Sequence, residues 1–287
     1  MSNKKLRYSE IFNSIQGEGL HVGTPSVFVR SFGCNFRCQG FGIDDFKGKT
    51  RYNPEVKHLI DSGKLDSIQT FHELPILSTG CDTYASIYPE FKHYMKHGDV
   101  DQVASEVLSV IPDVSKTHTH LILTGGEPML WQDFWKDFLV HPSIKQFSEV
   151  TIETNGTQDL KTKFQDFLSS KRNFNITWSV STKLSVSGES FEDTVKPDVI
   201  KSYLETMKND DNFYFKFVVS DEQDLREIQS VLREYNIGDP VVYIMPVGSR
   251  HEDYSRNAKK IADLAIKYGY RYSPRLHCDI FGNAWGT

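Results

Sequence analysis

The sequence predicts an α/β fold, a modified or partial (β/α) barrel, with residues 1–287 as one domain and residues 39–80 as a subdomain inserted into it. Short runs rich in apolar and β-branched residues alternate with amphipathic helix patterns beyond residue 24, the pattern of βα units that build a parallel sheet. Polar or glycine-rich groups follow several of these runs, and in a barrel they would converge on the strand C-terminal rim, where such folds place their chemistry. A chain of 287 residues with 38% hydrophobic content can bury a substantial single core.

Taken in order, the strand runs fall at residues 26–31, 120–123, 149–153, 175–181, 213–219 and 240–245, each suited to burial on both faces. Asp99 can cap a helix with Gln102 three residues on, after which Val103, Val107 and Ile111 recur at helical spacing. Pro197 fits a first turn before Ile200, Leu204 and Met207, and Asp221 can cap the helix carrying Leu225, Ile228, Val231 and Tyr235. Ala258, Ile261, Ala262 and Ala265 mark a last long helix that stops near Gly269. Residues 39–80 break the rhythm. They are too long for a plain βα loop, hold a helix signal at 54–62, and carry apolar residues of their own in Phe71, Leu74, Ile76 and Leu77.

A formal net charge of -5 gives no sign of nucleic-acid binding or of attraction to an anionic membrane surface. Residues 1–7 are polar and basic, and no apolar run follows that could form a signal-peptide core or cross a bilayer, so a cytoplasmic protein is expected, with neither nucleic acid nor membrane as partner. Four unevenly spaced cysteines are too few for a disulfide scaffold and read first as metal ligands or part of a catalytic site.

Cys34-Asn35-Phe36-Arg37-Cys38 directly follows the first strand run. Two thiolates so spaced on a loop can face one iron cluster, although taken alone the pair fits packing residues or part of a zinc site as well. Thr124-Gly125-Gly126-Glu127-Pro128 follows the second run, and paired glycines there let backbone groups approach a ligand with no Cβ in the way. Glu153-Thr154-Asn155-Gly156, Ser179-Val180-Ser181-Thr182-Lys183 and Met245-Pro246-Val247-Gly248 end later runs. Each alone reads as a turn; together they point to one rim.

Cys34-x3-Cys38, Cys81-Asp82-Thr83 and the Gly-Gly-Glu-Pro at 125–128 resemble the radical S-adenosylmethionine (SAM) superfamily. Residues 10–19, Glu-Ile-Phe-Asn-Ser-Ile-Gln-Gly-Glu-Gly, and residues 23–30, Gly-Thr-Pro-Ser-Val-Phe-Val-Arg, are similar to the opening of the 7-carboxy-7-deazaguanine synthase family, and the ending from Ser273 to Thr287 resembles its longer members. The resemblance covers nearly the whole chain outside residues 39–80. It implies a barrel of the radical SAM type and a lyase that contracts 6-carboxy-5,6,7,8-tetrahydropterin to 7-carboxy-7-deazaguanine with loss of ammonia, for queuosine-type 7-deazapurine biosynthesis. Three cysteines would bind a [4Fe–4S] cluster whose fourth iron takes SAM, and electron transfer would cleave SAM to a 5'-deoxyadenosyl radical. A homodimer and a flavodoxin-like reductant are implied as well.

Carried over by motif, Cys34, Cys38 and Cys81 are the expected cluster ligands and Thr83 the expected Mg²⁺ ligand. Gly125, Gly126, Glu127, Glu153, Asn155, Ser181 and Lys183 fall where the family binds SAM. Ile15, Gln16, Gly17, Arg30 and Thr124 match its substrate contacts, and a planar pterin bearing a carboxylate does call for amide hydrogen bonds and a guanidinium. Bland alternatives stand beside these: a surface ion pair for Arg30, a solvated lysine for Lys183, a helix cap for Thr83, and turn decoration for Gln16 and Glu18. Cys278 lies outside every motif and reads as a buried bystander. The sequence departs from the family where Gln39-Gly40-Phe41 stands in place of the usual third cysteine, with Cys81-Asp82-Thr83 supplying that context later. Two rivals remain open on the residues alone, a glycyl-radical-enzyme activase and a zinc-stapled binding module using Cys34, Cys38, Cys81 and Cys278.

Overall fold

Strict alternation along the strands sorts side chains into two environments. The computed structural model describes residues 4–46, 48–115 and 118–287; residues 1–3 of the basic N-terminal stretch and Lys47 of the expected insertion lie outside them. Its strands β1 (Leu6–Ile15), β2 (Pro25–Ser31), β3 (Lys96–Gly98), β4 (His120–Gly125), β5 (Glu149–Thr154), β6 (Asn175–Val180), β7 (Asn212–Val219), β8 (Val241–Pro246) and β9 (Arg271–Tyr272) form one sheet. Its order is β3-β1-β2-β4-β5-β6-β7-β8-β9, parallel from β2 to β9, with β1 antiparallel to both β2 and β3. The sheet does not close, so the barrel is the partial one that was expected.

On the outer face Val27, Val29, Leu121, Leu123, Val150 and Ile152 enter the main apolar core with helix residues Val103, Val107, Phe134, Ile200, Leu225 and Ile261. The inner face is mixed instead, with Ser26, His120, Thr151, Thr177 and Ser179 buried alongside the small apolar group Phe12, Phe28 and Ile122. Helical spacing gives the longer helices one apolar stripe each for burial. The helices are α1 (Pro54–Asp61), α2 (Val100–Ser109), α3 (Gln132–Leu139), α4 (Thr162–Ser169), α5 (Phe191–Thr194), α6 (Pro197–Glu205), α7 (Glu222–Tyr235), α8 (His251–Tyr268) and α9 (Leu276–Phe281). Asp99 and Gln102 make the anticipated reciprocal cap of α2, Asp221 caps α7, and Gly269 at φ +73° ends α8. Among the described residues no helix is long and apolar enough to cross a membrane.

A second apolar cluster stands apart from the sheet. Val56, Leu59, Phe71, Leu74 and Leu77 meet Tyr84, Tyr88 and Phe91 from beyond Cys81, so the cluster straddles that cysteine. Trp285 packs against it, 4.6 Å from the Phe71 ring and 5.7 Å from the Tyr84 ring, and donates its indole N–H to the Leu74 carbonyl at 2.8 Å.

Candidate active site

The strand C-termini surround one cavity, and the side chains that reach it come from loops far apart in sequence. Cys34, Cys38 and Cys81 all line it. Gly80, at φ +79°, makes the tight turn that brings Cys81 in, and a Cβ there would stand 2.7 Å from the Asn53 side chain. Burial, then the Glu127 charge, pushes the Cys34 thiol up to about 12. Burial likewise raises Cys38, and burial followed by Asp82 raises Cys81; Lys183 opposes the rise at all three. Each of Cys34 and Cys38 also feels Cys81. Three thiols on one cavity with one shared cation are a setting in which positive metal can displace the protons and Lys183 can balance the negative charge that results.

Gly125 and Gly126 line the cavity too, but space for a ligand is not the reason they are glycines. A Cβ on Gly125 would fall 2.3 Å from the Ser31 carbonyl oxygen, and one on Gly126 would fall 2.3 Å from that of Gly33. The pair lets the end of β4 lie on the loop that carries Cys34, and the Glu127 N–H then donates to the Gly33 carbonyl at 2.8 Å. Glu127 itself turns away from the cavity. Its fully buried carboxylate accepts from Met129 N–H at 2.9 Å, the Thr154 hydroxyl at 2.7 Å and Asn155 N–H at 2.7 Å, so it braces Asn155 from behind.

The remaining expected site residues converge. Ile15, Gln16, Gly17, Arg30, Thr83, Thr124, Glu153, Asn155, Ser181 and Lys183 all line the cavity. Glu153 ties the two halves of the site together, accepting from the Gln16 amide at 3.1 Å and the Thr124 hydroxyl at 2.8 Å. Gln16 therefore does more than decorate a turn. Arg30 is ion-paired, but with a buried carboxylate: its Nε donates to Glu10 at 2.7 Å, and its guanidinium lies 5.3 Å from the Phe12 ring. Thr83 stands 3.2 Å from the Cys81 sulfur and its side chain caps no helix. Lys183 donates to the Ser181 hydroxyl at 2.9 Å.

Several cavity residues were not among the expected site residues. Glu18, Lys216, Arg275, His277 and Asp82 form a charged network. Lys216 pairs with Glu18 at 2.5 Å and lies 3.9 Å from Glu153, while Arg275 reaches Glu18 at 3.0 Å and Asp82 at 2.6 Å. Burial alone would raise the Glu18 carboxyl, yet Lys216 and Arg275 hold it well below the usual carboxylate range. Burial, helped by Arg275, brings His277 down to about 4. Phe12 and Phe28 stack at 4.8 Å and add a flat apolar wall. The signal that could have found Lys216 is its place between Phe215 and Phe217, a charge at an inward position of an otherwise apolar strand.

No family model matches the chain. A relative from Halobacterium salinarum named 7-carboxy-7-deazaguanine synthase is 30% identical, covering 97% of this chain and 91% of the relative. The chain belongs to that family. A 7-carboxy-7-deazaguanine synthase of Rhodopirellula baltica is likewise 30% identical over 100% of this chain and 90% of its own length, and one of Pyrobaculum aerophilum is 28% identical over 98% and 97%. Among solved structures, QueE from Escherichia coli shares the fold, with a TM-score of 0.51 at 19% identity and 95% of both chains covered. A 7-carboxy-7-deazaguanine synthase is a radical SAM lyase, which implies a [4Fe–4S] cluster and SAM.

The three thiols fit such a cluster better than they fit zinc. Cys278 is buried with its sulfur 3.9 Å from the Ser249 carbonyl, outside the cavity. Among the described residues no three His, Cys, Asp or Glu side chains converge on a single-ion position. A four-iron cluster does not ask for that convergence, because each thiolate binds a different iron.

Proposed function

We propose that this chain contracts 6-carboxy-5,6,7,8-tetrahydropterin to 7-carboxy-7-deazaguanine with loss of ammonia, serving queuosine-type 7-deazapurine synthesis. The observation that carries the reading is the meeting of Cys34, Cys38 and Cys81 with Gln16, Arg30, Thr124 and Glu153 around one cavity. When bound, the cluster and SAM supply the radical that starts the reaction.

The chain's own residues bind, orient and exclude. Cys34, Cys38 and Cys81 hold the cluster. Gly125, Gly126, Glu153, Asn155, Ser181 and Lys183 hold SAM, with Glu127 acting on that site only through Asn155. Ile15, Gln16, Gly17 and Thr124 frame the pterin, and Arg30 grips its carboxylate through the terminal nitrogens that its bond to Glu10 leaves available. Because Glu153 accepts from Gln16 and Thr124, the substrate and SAM sites are set by one carboxylate and cannot shift independently. Trp285, seated on the second apolar cluster, walls the cavity and keeps water from the reacting centre.

Thr83, beside Cys81, provides a hydroxyl for Mg²⁺, which prefers oxygen ligands. Residues 39–80 act as an inserted subdomain of a single domain, its apolar side completed by residues 84–91. A flavodoxin-like reductant, a second copy of the chain as dimer partner and a cytoplasmic location complete the proposal. An anaerobic incubation of reconstituted protein with SAM, dithionite and the carboxytetrahydropterin should yield the deazapurine and 5'-deoxyadenosine. A cluster shown intact by its iron and sulfide content, with no deazapurine formed, would overturn the substrate assignment.

A further inference from the structure

Within the loop between Cys34 and Cys38, Arg37 braces the Cys34 and Phe36 carbonyls, but the Cys38 N–H is held from outside it. Cys38 sits at φ +46°, a left-handed conformation that a residue with a side chain seldom adopts without support. The support comes from residues after β6. There the chain runs through Lys183 and a short turn, Ser185–Ser187, and Gly188 at φ +81° then delivers Glu189 beneath the loop. One Glu189 oxygen accepts both the Arg37 N–H and the Cys38 N–H, each at 2.9 Å. The other pairs with Lys49 at 2.5 Å. The Glu189 side chain is 3% exposed, and the Gly40 N–H donates to the Ser187 carbonyl at 2.8 Å, so the two segments run in backbone contact. Successive backbone N–H groups in a turn make a small anion-binding concavity, and here the anion is built into the chain.

We infer that Glu189 is a positioning residue for the cluster, fixing the left-handed turn at Cys38 so that its sulfur faces the cavity, with Lys49 tying residues 39–80 to the same carboxylate. Both oxygens are occupied, so Glu189 is not itself a ligand. The inference rests on the reading of Cys38 as a cluster ligand and is tested apart from it. In the metal-free wild-type chain the Arg37 and Cys38 amides should exchange slowly with deuterium. Glu189→Ala should speed their exchange at least tenfold and raise the alkylation rate of Cys38 relative to Cys278, whereas Glu189→Gln, which keeps an acceptor in place, should restore most of the protection. After anaerobic reconstitution, the electron paramagnetic resonance spectrum of the reduced cluster should change shape on SAM addition in wild type and Glu189→Gln, and respond differently in Glu189→Ala.

Unprotected Arg37 and Cys38 amides in the wild type would overturn the inference even if Glu189→Ala fails to fold. So would a folded Glu189→Ala whose exchange, alkylation and spectrum match the wild type. Full iron content in Cys38→Ala would instead sink the ligand reading and leave the amide result standing.

Discussion

Removing Arg275 should destabilise the whole chain while showing how the Cys81 loop is held. Arg275 is 4% exposed, and its guanidinium donates to Glu18 at 3.0 Å, Asp82 at 2.6 Å and the Gly248 carbonyl and lies 3.5 Å from the His277 ring nitrogen. Deleting one partner of a buried charge pair costs roughly 3–5 kcal/mol, because the other charge is left without compensation. Two features move Arg275→Ala to the low end. Glu18 keeps Lys216 at 2.5 Å, and the Asp82 side chain is 38% exposed and can turn to water. A loss of about 3 kcal/mol is therefore expected, read as a lower urea midpoint of the metal-free chain under anaerobic conditions. In a double-mutant cycle with Asp82→Asn, the coupling should be about 1 kcal/mol or less, since a partner so exposed is screened. A loss below about 1 kcal/mol for Arg275→Ala would refute the reading that its bonds to Glu18, Asp82 and the Gly248 carbonyl hold these segments together.

Other outcomes test the remaining assignments. Cys278→Ala should reconstitute with the same iron content as wild type, while Cys81→Ala should fold and lose both the cluster absorbance and SAM cleavage; the opposite pattern would exchange their roles. Thr83→Ala should weaken the Mg²⁺ dependence of turnover, and an unchanged Mg²⁺ titration would end that assignment. Far from the site, burial would raise the Asp211 carboxyl, but Arg172 and the N–H groups of Ile176 and Lys208 hold it below its usual value. With a lowered folded value, its contribution is present above the unfolded value of about 3.9 and is lost as pH falls through the folded one. The penalty of Asp211→Asn in urea unfolding should then be larger at neutral pH than near pH 3, and equal penalties would contradict the pairing.

The parallel strands were legible because their outward residues are apolar and must cover helices: Val27 with Val29, Leu121 with Leu123 and Val150 with Ile152 announce β2, β4 and β5. β1 was read only as a motif, since its Ser9, Glu10 and Asn13 break the apolar run. Helices α3 and α4 lack the start signals that announced α1, since Trp131 and Lys161 stand at their N-caps and neither side chain makes a capping bond. In the site, motifs told which loops meet but not which way side chains turn. Glu127 belongs to the expected SAM motif and yet faces the protein interior, and the Gly-Gly pair serves strand packing. Arg275 and Glu189 were invisible as site residues because a charge in a sequence carries no mark of its distant partner, whereas Lys216 left the one trace of a charge between Phe215 and Phe217.

The apolar cluster on both sides of Cys81 sets the timetable for cofactor assembly. Val56, Phe71 and Leu74 must meet Tyr84, Tyr88 and Phe91 for either group to leave water, and that meeting draws the long gap between Cys38 and Cys81 closed before iron is needed. Loop-closure entropy is then spent during folding rather than charged against metal affinity. On the proposed ligand assignment, iron would meet three thiols already gathered, and loading would be local proton exchange rather than a search by a loose loop. Residues can also be added or lost in the outer turns of 39–80 with little effect on cluster affinity, so long as the apolar contacts around Cys81 persist.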